Sequence, residues 1–579
     1  MLKLFIDNNE IALDEDFRLE VHRENPLFTK TGDYTYNIDI DLNVPQNSRV
    51  YSGIKRIGSH YSVKNRTARL VDGIYTLLQG PEIILSLTGS SASIQIVNNY
   101  SALNYLSTSD KRSIRDLDFG FVDVVSAAVK TASKNKIFPA AKYTFPPMLQ
   151  GDGLTVINKG LPVYDSGFVY DDDASQRGCP FVLYLIERLL EVLGYSVTYN
   201  CLRDTKWERL VLCHGYDTNS ISQMLPDWDV ATFLSEVEKF FNVIFFVDSS
   251  NAKVSIVNVK SFYSSSSVHY VDSSFVLDSF DRDFSSDGIN GFFVSYDSVD
   301  YALSGENGMQ YADIDHEILD KSIYVNASYE EVSKETYPSF YEKYDDWRIF
   351  RDTNRSNLFF KPIKLDDGSY SKVRLNAFGK FIRYADGSAV TLKIIPALIT
   401  DVEWEVKRDN VVTNGQGVAL VPRVYLNDQS EFGFYETLAG QTRHTEDVMR
   451  VAFYHGDISL RKTSSTYNTY YSMPMCWNSE YTVGSFKYPW KIQQEELRGA
   501  AEMTLELDGH NRRGELEFDN KLSLDFNQCY NISFLTDEFL DPTHIFIISG
   551  VKFACKKLVY VWEHLSNTRL VRGEFYRFK

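Results

Sequence analysis

One stretch, residues 224–259, constrains the fold more than any other, because it predicts a helix followed at once by a hairpin. Two capping candidates, Asp227 and Asp229, precede apolar residues at the spacing of a helix that buries one face. These apolar residues are Val230, Phe233, Leu234, Val237, Phe240 and Phe241. Two β-like runs, 243–247 and 254–259, follow around a polar turn. We therefore expect a helix packed on a hairpin, which marks a folding unit and not an active site.

The rest of the sequence favours sheet. It contains 37 Tyr and 38 Phe but only 16 Pro among 579 residues, which argues against disorder and for aromatic-rich strands. A chain of this length is too long for one core and predicts about three to five domains. The expected fold class is mainly β with an α/β layer, that is, α+β.

Strict alternation appears near the start. Tyr34, Tyr36, Ile38, Ile40 and Leu42 fall on one face of a predicted strand and polar residues on the other. With further strands on both sides, residues 1–110 predict a small antiparallel β-barrel or sandwich, and the N-terminal module is assigned as a β-barrel.

The next segments are less uniform. Residues 111–175 are predicted to form a connector with a helix-like patch at 122–132. Residues 176–262 are predicted to form a helix-on-sheet domain, because a second amphipathic helix at 182–193 ends before Gly194. Beyond 263 nearly every pattern is typical of strand and turn, with one candidate helix at 491–501.

The net charge, the hydropathy and the cysteine spacing argue against several classes of function. The net charge of -18 argues against a general nucleic-acid-binding surface, since phosphate contacts need clustered Lys and Arg. No apolar run of about 18 residues could span a bilayer, and acidic residues stand where a signal peptide needs an apolar core. We expect assembly in a cytoplasm. Six cysteines without a CxxC pair predict buried free thiols.

Candidate metal ligands are weakly patterned. Asp313, Asp315, His316 and Glu317 place oxygen ligands at alternating positions, but the glycine and terminal glutamate of a calcium loop are absent. The run from Asp171 to Asp173 lacks them too. Solvated acidic turns are the preferred interpretation of both, with no metal or cofactor expected.

Catalytic motifs are missing. Neither a G-x-S-x-G elbow nor an H-E-x-x-H helix occurs. Cys213 and His214 are neighbours on a predicted strand, where side chains point to opposite faces, so a thiol–imidazole pair has poor geometry. Gly415 and Gly417 lack the third glycine and the helix of a dinucleotide site. The chain is predicted not to be an enzyme.

Two stretches are candidates for partner contact. Residues 463–481 are rich in Tyr, Ser, Asn and Trp, a composition that suits contacts with proteins or sugars, although a covered loop is the somewhat preferred interpretation. The aromatic residues of this candidate loop are Tyr467, Tyr470, Tyr471, Trp477 and Tyr481. A basic group within residues 55–69 is either an anion-binding or partner surface or a solvated face.

Four patches, taken in order, resemble the tail-hub or baseplate-hub proteins of tailed bacteriophages, in particular those of Bacteroidetes phages and prophages. The first is NPLFTKTGDYTYNIDIDLNVPQNSRVYSGIKRI, in which an alternating strand runs into a Pro-x-Asn turn. The second joins LEVLGYSVTYN to MLPDWDVATFLSEVEKFFNVIFFVDSSNAKVSIV. The others are LNAFGKFIRYADGSAVTLKIIPALI and the closing HIFIISGVKFACKKLVYVWEHLSNTRLVRGEFYRF.

The resemblance implies a scaffold of two small β-barrel modules flanking the helix-on-sheet domain. The second module would start in residues 263–345 and be completed by the C-terminal strands, 521–579, with a β-rich insertion at 346–520. In such hubs three chains form a ring of six barrels, which docks a trimeric tip on a hexameric tail tube.

The leading hypothesis is thus a structural hub of the virion tail tip or baseplate that lines the DNA ejection conduit. Its expected partners are two further copies of itself, a tail-tube or distal tail protein, and tail-tip or receptor-binding proteins. DNA would pass without sequence-specific binding. The alternatives are a tail-associated cell-wall hydrolase and a receptor- or glycan-binding tip protein, and contractile injection machines use related hubs.

Overall fold

The computed structural model describes most of the chain outside residues 284–523 and several separate segments within them. The described residues are 2–14, 17–29, 31–54, 66–73, 75–98, 113–123, 126–150, 156–163, 167–171, 177–248, 251–263, 267–283, 299–301, 325–327, 350–353, 359–364, 370–375, 390–408, 411–424, 448–463, 468–477, 490–492, 505, 524–563 and 569–579.

This part of the chain is mainly β. The strands of the first 170 residues are β1 (Leu2–Ile6), β2 (Asn9–Ile11), β3 (Arg18–Glu24), β4 (Asp33–Thr35), β5 (Ile38–Asp41), β6 (Thr67–Asp72), β7 (Tyr75–Leu87), β8 (Ser91–Asn98), β9 (Tyr143–Thr144), β10 (Met148–Gln150), β11 (Val156–Ile157), β12 (Gly160–Val163) and β13 (Gly167–Tyr170). Those of residues 179–283 are β14 (Cys179–Pro180), β15 (Ser196–Asn200), β16 (Leu210–Leu212), β17 (Val243–Asp248), β18 (Lys253–Asn258), β19 (Val268–Val271) and β20 (Val276–Asp283).

The later residues continue in the same way. Their strands are β21 (Val299–Tyr301), β22 (Val325–Ala327), β23 (Phe350–Asp352), β24 (Phe359–Lys364), β25 (Tyr370–Leu375), β26 (Val390–Leu392), β27 (Ile394–Pro396), β28 (Leu398–Arg408), β29 (Val411–Val424), β30 (Met449–Thr463), β31 (Asn468–Trp477), β32 (Trp490–Ile492), β33 (Leu524–Thr536), β34 (Ile545–Ile548), β35 (Val551–Glu563) and β36 (Arg569–Phe578). The α-helices of the described residues are α1 (Pro45–Tyr51), α2 (Ala127–Ser133), α3 (Val182–Val192) and α4 (Val230–Phe241).

The largest sheet combines both ends of the described chain. Its 14 strands run β2-β1-β6-β7-β8-β4-β3-β35-β36-β33-β20, with β5 on β8, β34 on β35 and β19 on β34. The two ends meet where β3 pairs antiparallel with β35, from Arg18 opposite Glu563 to Glu24 opposite Lys557. One apolar core lies beneath strands from both ends. That this sheet comprises two separate barrel modules stays a prediction.

The predicted strand over residues 34–42 is broken in two. Residues 36 and 37 lie between β4 and β5, and this break resets the alternation, so that Thr35 is buried while Tyr36 is 59% exposed. The Thr35 hydroxyl accepts a hydrogen bond from the backbone of Ile96 at 2.9 Å. The prediction that Tyr36 faces the core is therefore wrong, whereas Ile38 and Ile40 are buried as predicted.

The predicted Pro-x-Asn turn is also different in the structure, because Pro45 is in the first turn of α1. Proline suits that position, since the amide hydrogen that it lacks would have no helical partner. Asn47 is buried within the helix and its amide donates to the carbonyls of Ala12 and Asp41 at 3.0 and 2.9 Å.

The helix and hairpin predicted in residues 224–259 are both present. Asp229 caps α4, since its carboxylate accepts a hydrogen bond from the Thr232 backbone at 2.7 Å. Asn242 ends the helix in the left-handed region with φ of 53°, where Asn is tolerated. The hairpin of β17 and β18 pairs from Val243 opposite Asn258 to Asp248 opposite Lys253, and β15 adds a third, parallel strand.

The core under α3 and α4 extends well beyond this layer. It takes apolar residues from the predicted connector, such as Phe119 and Phe168, and from the predicted insertion, such as Ile394 and Phe453. Glu236 of α4 is buried and accepts a hydrogen bond from the backbone of Lys393 at 3.0 Å. The boundaries that separate these segments into domains stay a prediction. The first two residues of the candidate helix at 491–501 belong to β32, and residues 493–501 lie outside the described residues.

Phe233 tests the packing of α4. Its ring is fully buried, so Phe233→Ala should lower the free energy of unfolding by about 3–5 kcal/mol through lost contacts and the cavity that remains. Ser235→Ala, two residues along the same helix on its half-buried side, is the matched control and should change stability by less than about 0.5 kcal/mol. Chemical denaturation measures both, and equal stabilities of the two variants would contradict the packing.

Candidate subunit interface

The outer strands of the largest sheet carry exposed apolar side chains. In the described residues β19 pairs only with β34, and β20 pairs only with β33. Val268, Tyr270, Phe275 and Leu277, which we call the edge patch, are 40%, 77%, 53% and 40% exposed. An outer strand whose backbone groups are not all paired and whose side chains are apolar can pair with another chain.

Local geometry holds the edge patch in place. On β19 the side chains alternate, so Val268 and Tyr270 point outward while His269 and Val271 are half-buried. The short turn Ser273–Phe275 follows, capped by Asp272, whose carboxylate accepts from the backbone and hydroxyl of Ser274, both at 2.8 Å. These hydrogen bonds to the charged form lower the pKa of Asp272.

Asn25 joins the N-terminal and C-terminal parts of the chain within the largest sheet. The residue is fully buried. Its amide donates to the carbonyls of Pro542 and Cys555 at 3.0 and 2.9 Å, and its side-chain oxygen accepts from Leu27 N at 3.0 Å. The Tyr263 hydroxyl lies 3.2 Å from the same amide. One side chain thus bridges the N-terminal strands, the segment before β19 and the C-terminal strands.

Arg23 makes a second bridge. Its Nε lies 3.3 Å from Asp33 Oδ2, its Nη1 donates to the carbonyl of Leu540 at 2.6 Å, and its guanidinium stacks 4.4 Å from the ring centroid of Phe539. The Tyr560 hydroxyl accepts from Leu540 N at 2.7 Å. The loop that leads into β34, the partner of β19, is therefore fixed to both ends of the chain.

The predicted Tyr-rich contact loop is a strand over residues 468–477. Tyr470, Tyr471 and Trp477 belong to β31, where they pair opposite Arg461, Leu460 and Phe453 of β30. Tyr467 and Tyr481 lie outside the described residues. The loop assignment was wrong for this segment because Met473, Met475 and Cys476 are buried and hold the strand in the core. Its role in partner contact stays a prediction.

The structure does not bring Cys213 and His214 into a catalytic pair. His214 Nε2 donates to the carbonyl of Gly178 at 2.9 Å, while Cys213 Sγ lies 4.0 Å from the carbonyl of Val211. Burial lowers the pKa of His214 to about 4 and raises the pKa of Cys213 well above its usual value. At neutral pH both are neutral, and a neutral buried thiol is a poor nucleophile.

The other sequence candidates form no metal or anion site that the described residues show. Within them no three His, Cys, Asp or Glu side chains converge, and the six cysteines are free. The 313–317 cluster and Asp172–Asp173 lie outside these residues, and Gly415 and Gly417 are within β29. Of the basic group, Arg66 is buried with its Nε 2.8 Å from Glu82 Oε2, and Arg69 stacks on Phe5.

The described helices include none that is both long and apolar enough to cross a bilayer.

Sequence reasoning missed the edge patch. The alternation V-x-Y in SVHYVDSSFVL was the available signal. It stands directly after four serines, residues 264–267, a composition typical of a linker or polar loop. An alternating pattern also does not indicate which of its two faces another chain covers.

The chain is thus mainly β, and its largest described sheet is curled and has exposed apolar side chains on its outer strand β19. No protein-family model matches it, and no curated protein does. Among solved structures, one similar chain is the tail protein from Neisseria meningitidis MC58, with a TM-score of 0.31 and 6% identity over 100% of this chain and 96% of that chain. Another is the prophage MuSo2 43 kDa tail protein from Shewanella oneidensis, with a TM-score of 0.32 and 7% identity over 100% and 97%. At these TM-scores neither similarity carries an argument.

Asn25→Ala tests the bridge between the chain ends. Removing the amide leaves the buried carbonyls of Pro542 and Cys555 without this donor, so the free energy of unfolding should fall by roughly 2–4 kcal/mol. Asn37→Ala, which removes an exposed amide that accepts from Gln95, should change it by less than about 0.5 kcal/mol. Urea denaturation compares the two, and an unaffected Asn25→Ala protein would refute the bridge.

His214 should make stability depend on pH. Its folded pKa of about 4 lies below the ordinary value of 6.5, so the unfolded chain binds the proton first and stability falls as pH drops from about 6.5 to about 4. The loss from this group should approach about 3 kcal/mol. His214→Gln keeps a donor for Gly178 but does not titrate, so its stability should fall less over that window. Parallel wild-type and variant profiles would contradict the buried, neutral histidine.

Proposed function

We propose that this chain is a structural tail-hub, or baseplate-hub, protein of a tailed phage. Three copies would form a ring that connects the tail tube to the tail tip and lines the DNA ejection conduit. The observation that carries the proposal is the edge patch on the outer strands of a sheet that contains both ends of the chain. The four sequence patches that resemble phage hubs support the same class.

The free edge supports association with identical copies. Soluble proteins usually protect an outer strand with charge, proline or a bulge. Here β20 has a register shift in its pairing with β33, whereas β19 exposes Tyr270 and the turn after it exposes Phe275, each by more than half. The opposite end of the sheet, β2, is a second outer strand. A contact between different surfaces of neighbouring copies generates a ring when the rotation closes, and three copies close one at 120° each.

Charge supports a conduit for DNA. The chain has a net charge of -18, and three copies multiply that charge. A negatively lined lumen repels the phosphate backbone, so that DNA slides instead of adhering. Transit therefore needs no sequence-specific binding.

The proposed role is non-enzymatic and belongs to the virion. Its neighbours would be a tail-tube or distal tail protein on one side and tail-tip or receptor-binding proteins on the other, with assembly in the host cytoplasm. Cys213 and His214 are buried and do not form a thiol–imidazole pair with each other, which supports a role without nucleophilic catalysis.

Charges on the edge patch should prevent assembly. The untagged wild-type chain should have three times the chain mass of 66.5 kDa by light scattering. In Tyr270→Asp with Phe275→Asp, desolvation of the two carboxylates at the contact should shift the protein to monomer. Tyr199→Asp is the matched control, because Tyr199 is 57% exposed on β15, outside the large sheet.

The control should keep the wild-type mass, and all three proteins should melt at similar temperatures. A monomeric wild-type chain would overturn the ring. If the double variant is still a trimer, the contact between copies does not include the edge patch.

A further inference from the structure

Two histidines face each other directly behind the edge patch. His269 is on β19 and His544 stands just before β34, and both are half-buried. His544 Nδ1 lies 2.8 Å from His269 Nε2, with ring centroids 4.7 Å apart. We propose that this pair is a binding site for a divalent first-row transition-metal ion such as Zn²⁺, with water completing the coordination shell.

The separation of the two nitrogens suits one shared ion. With Zn–N bonds of about 2.0–2.1 Å, two imidazole ligands of a tetrahedral ion are roughly 3.3 Å apart. The rings therefore need to part by about 0.5 Å and to tilt, because the two nitrogens now point at each other and would both have to point at the ion. The proton now shared between the two nitrogens moves to the outer nitrogen of one ring, which leaves a lone pair from each ring for the metal.

The backbone holds the pair in position. β19 and β34 are parallel, with His269 opposite Phe546, and Ile545 N donates to the carbonyl of Ser267 at 2.9 Å. His544 N donates to the carbonyl of Asp541 at 3.2 Å. Because two strands fix both histidines before any ion binds, ordering them costs little when it does.

Charged side chains surround the pair. Glu538 and Asp541 attract positive charge at this point, while Arg23 opposes it. Phe546 covers one side of the pair, its ring centroid 5.3 Å from that of His269.

The site lies within one chain, so it stands independently of the ring. A metal at this position joins β19 to β34 next to the only described pairing of β19, and it would strengthen the attachment of the edge patch.

Calorimetric titration of the untagged full-length chain with Zn²⁺ tests the site. The wild type should bind Zn²⁺ at neutral pH. His269→Gln and His544→Gln should each weaken the binding at least tenfold, because each removes one of the two imidazole ligands. His22→Gln is the matched control, since His22 is on β3 of the same sheet and stacks on Tyr34, and its affinity should equal that of the wild type.

A second measurement needs no variant. Zn²⁺ should protect His269 and His544, but not the other histidines, from carbethoxylation of the wild-type chain, as read by peptide mass mapping. Equal Zn²⁺ affinity in all proteins, no saturable binding, or no protection at the pair would overturn the site. Light scattering of the same samples reports the ring separately, so either idea can fail alone.

Discussion

The pairing of β3 with β35 is the interaction on which the rest of the structure depends. Seven residue pairs join strands that are more than 500 positions apart in the chain. Around this seam, Asn25 satisfies the carbonyls of Pro542 and Cys555, and Arg23 fixes the loop at Leu540. Without the seam the large sheet divides into two smaller ones, and neither would bury both sides of the common core.

The same seam determines where the edge patch lies. β35 carries β34, which in turn carries β19, so the exposed Tyr270 is held at a fixed position relative to the N-terminal strands. A rigid outer strand loses little conformational entropy when it contacts another copy. The high sequence separation of the contacts has a cost, because closing so long a loop slows folding.

Elements fixed by local chemistry could be predicted from the sequence. The spacing of Phe233 and Val237 and the cap at Asp229 define α4 without any knowledge of its neighbours. Features that depend on contacts between distant parts of the chain, such as which face of a strand is buried, could not be predicted. The side of β4 that faces the core depends on its pairing with β8, and the break before β5 leaves Tyr36 exposed although Thr35 is buried. Arg66, counted with an exposed basic group, is instead buried beside Glu82. Likewise, the polar composition around Tyr470 predicted a loop where the structure has a strand. No local signal distinguished the edge patch from an ordinary half-buried strand.

In the proposed assembly, three copies close into a ring through the outer strands of this sheet. A cryo-electron microscopy reconstruction of the purified, untagged chain would show such a ring. We expect a closed three-fold ring around a central channel, with Tyr270 and Phe275 covered at the contact between neighbouring copies. A monomer, an open filament, or a ring whose contacts leave these residues exposed to solvent would contradict it.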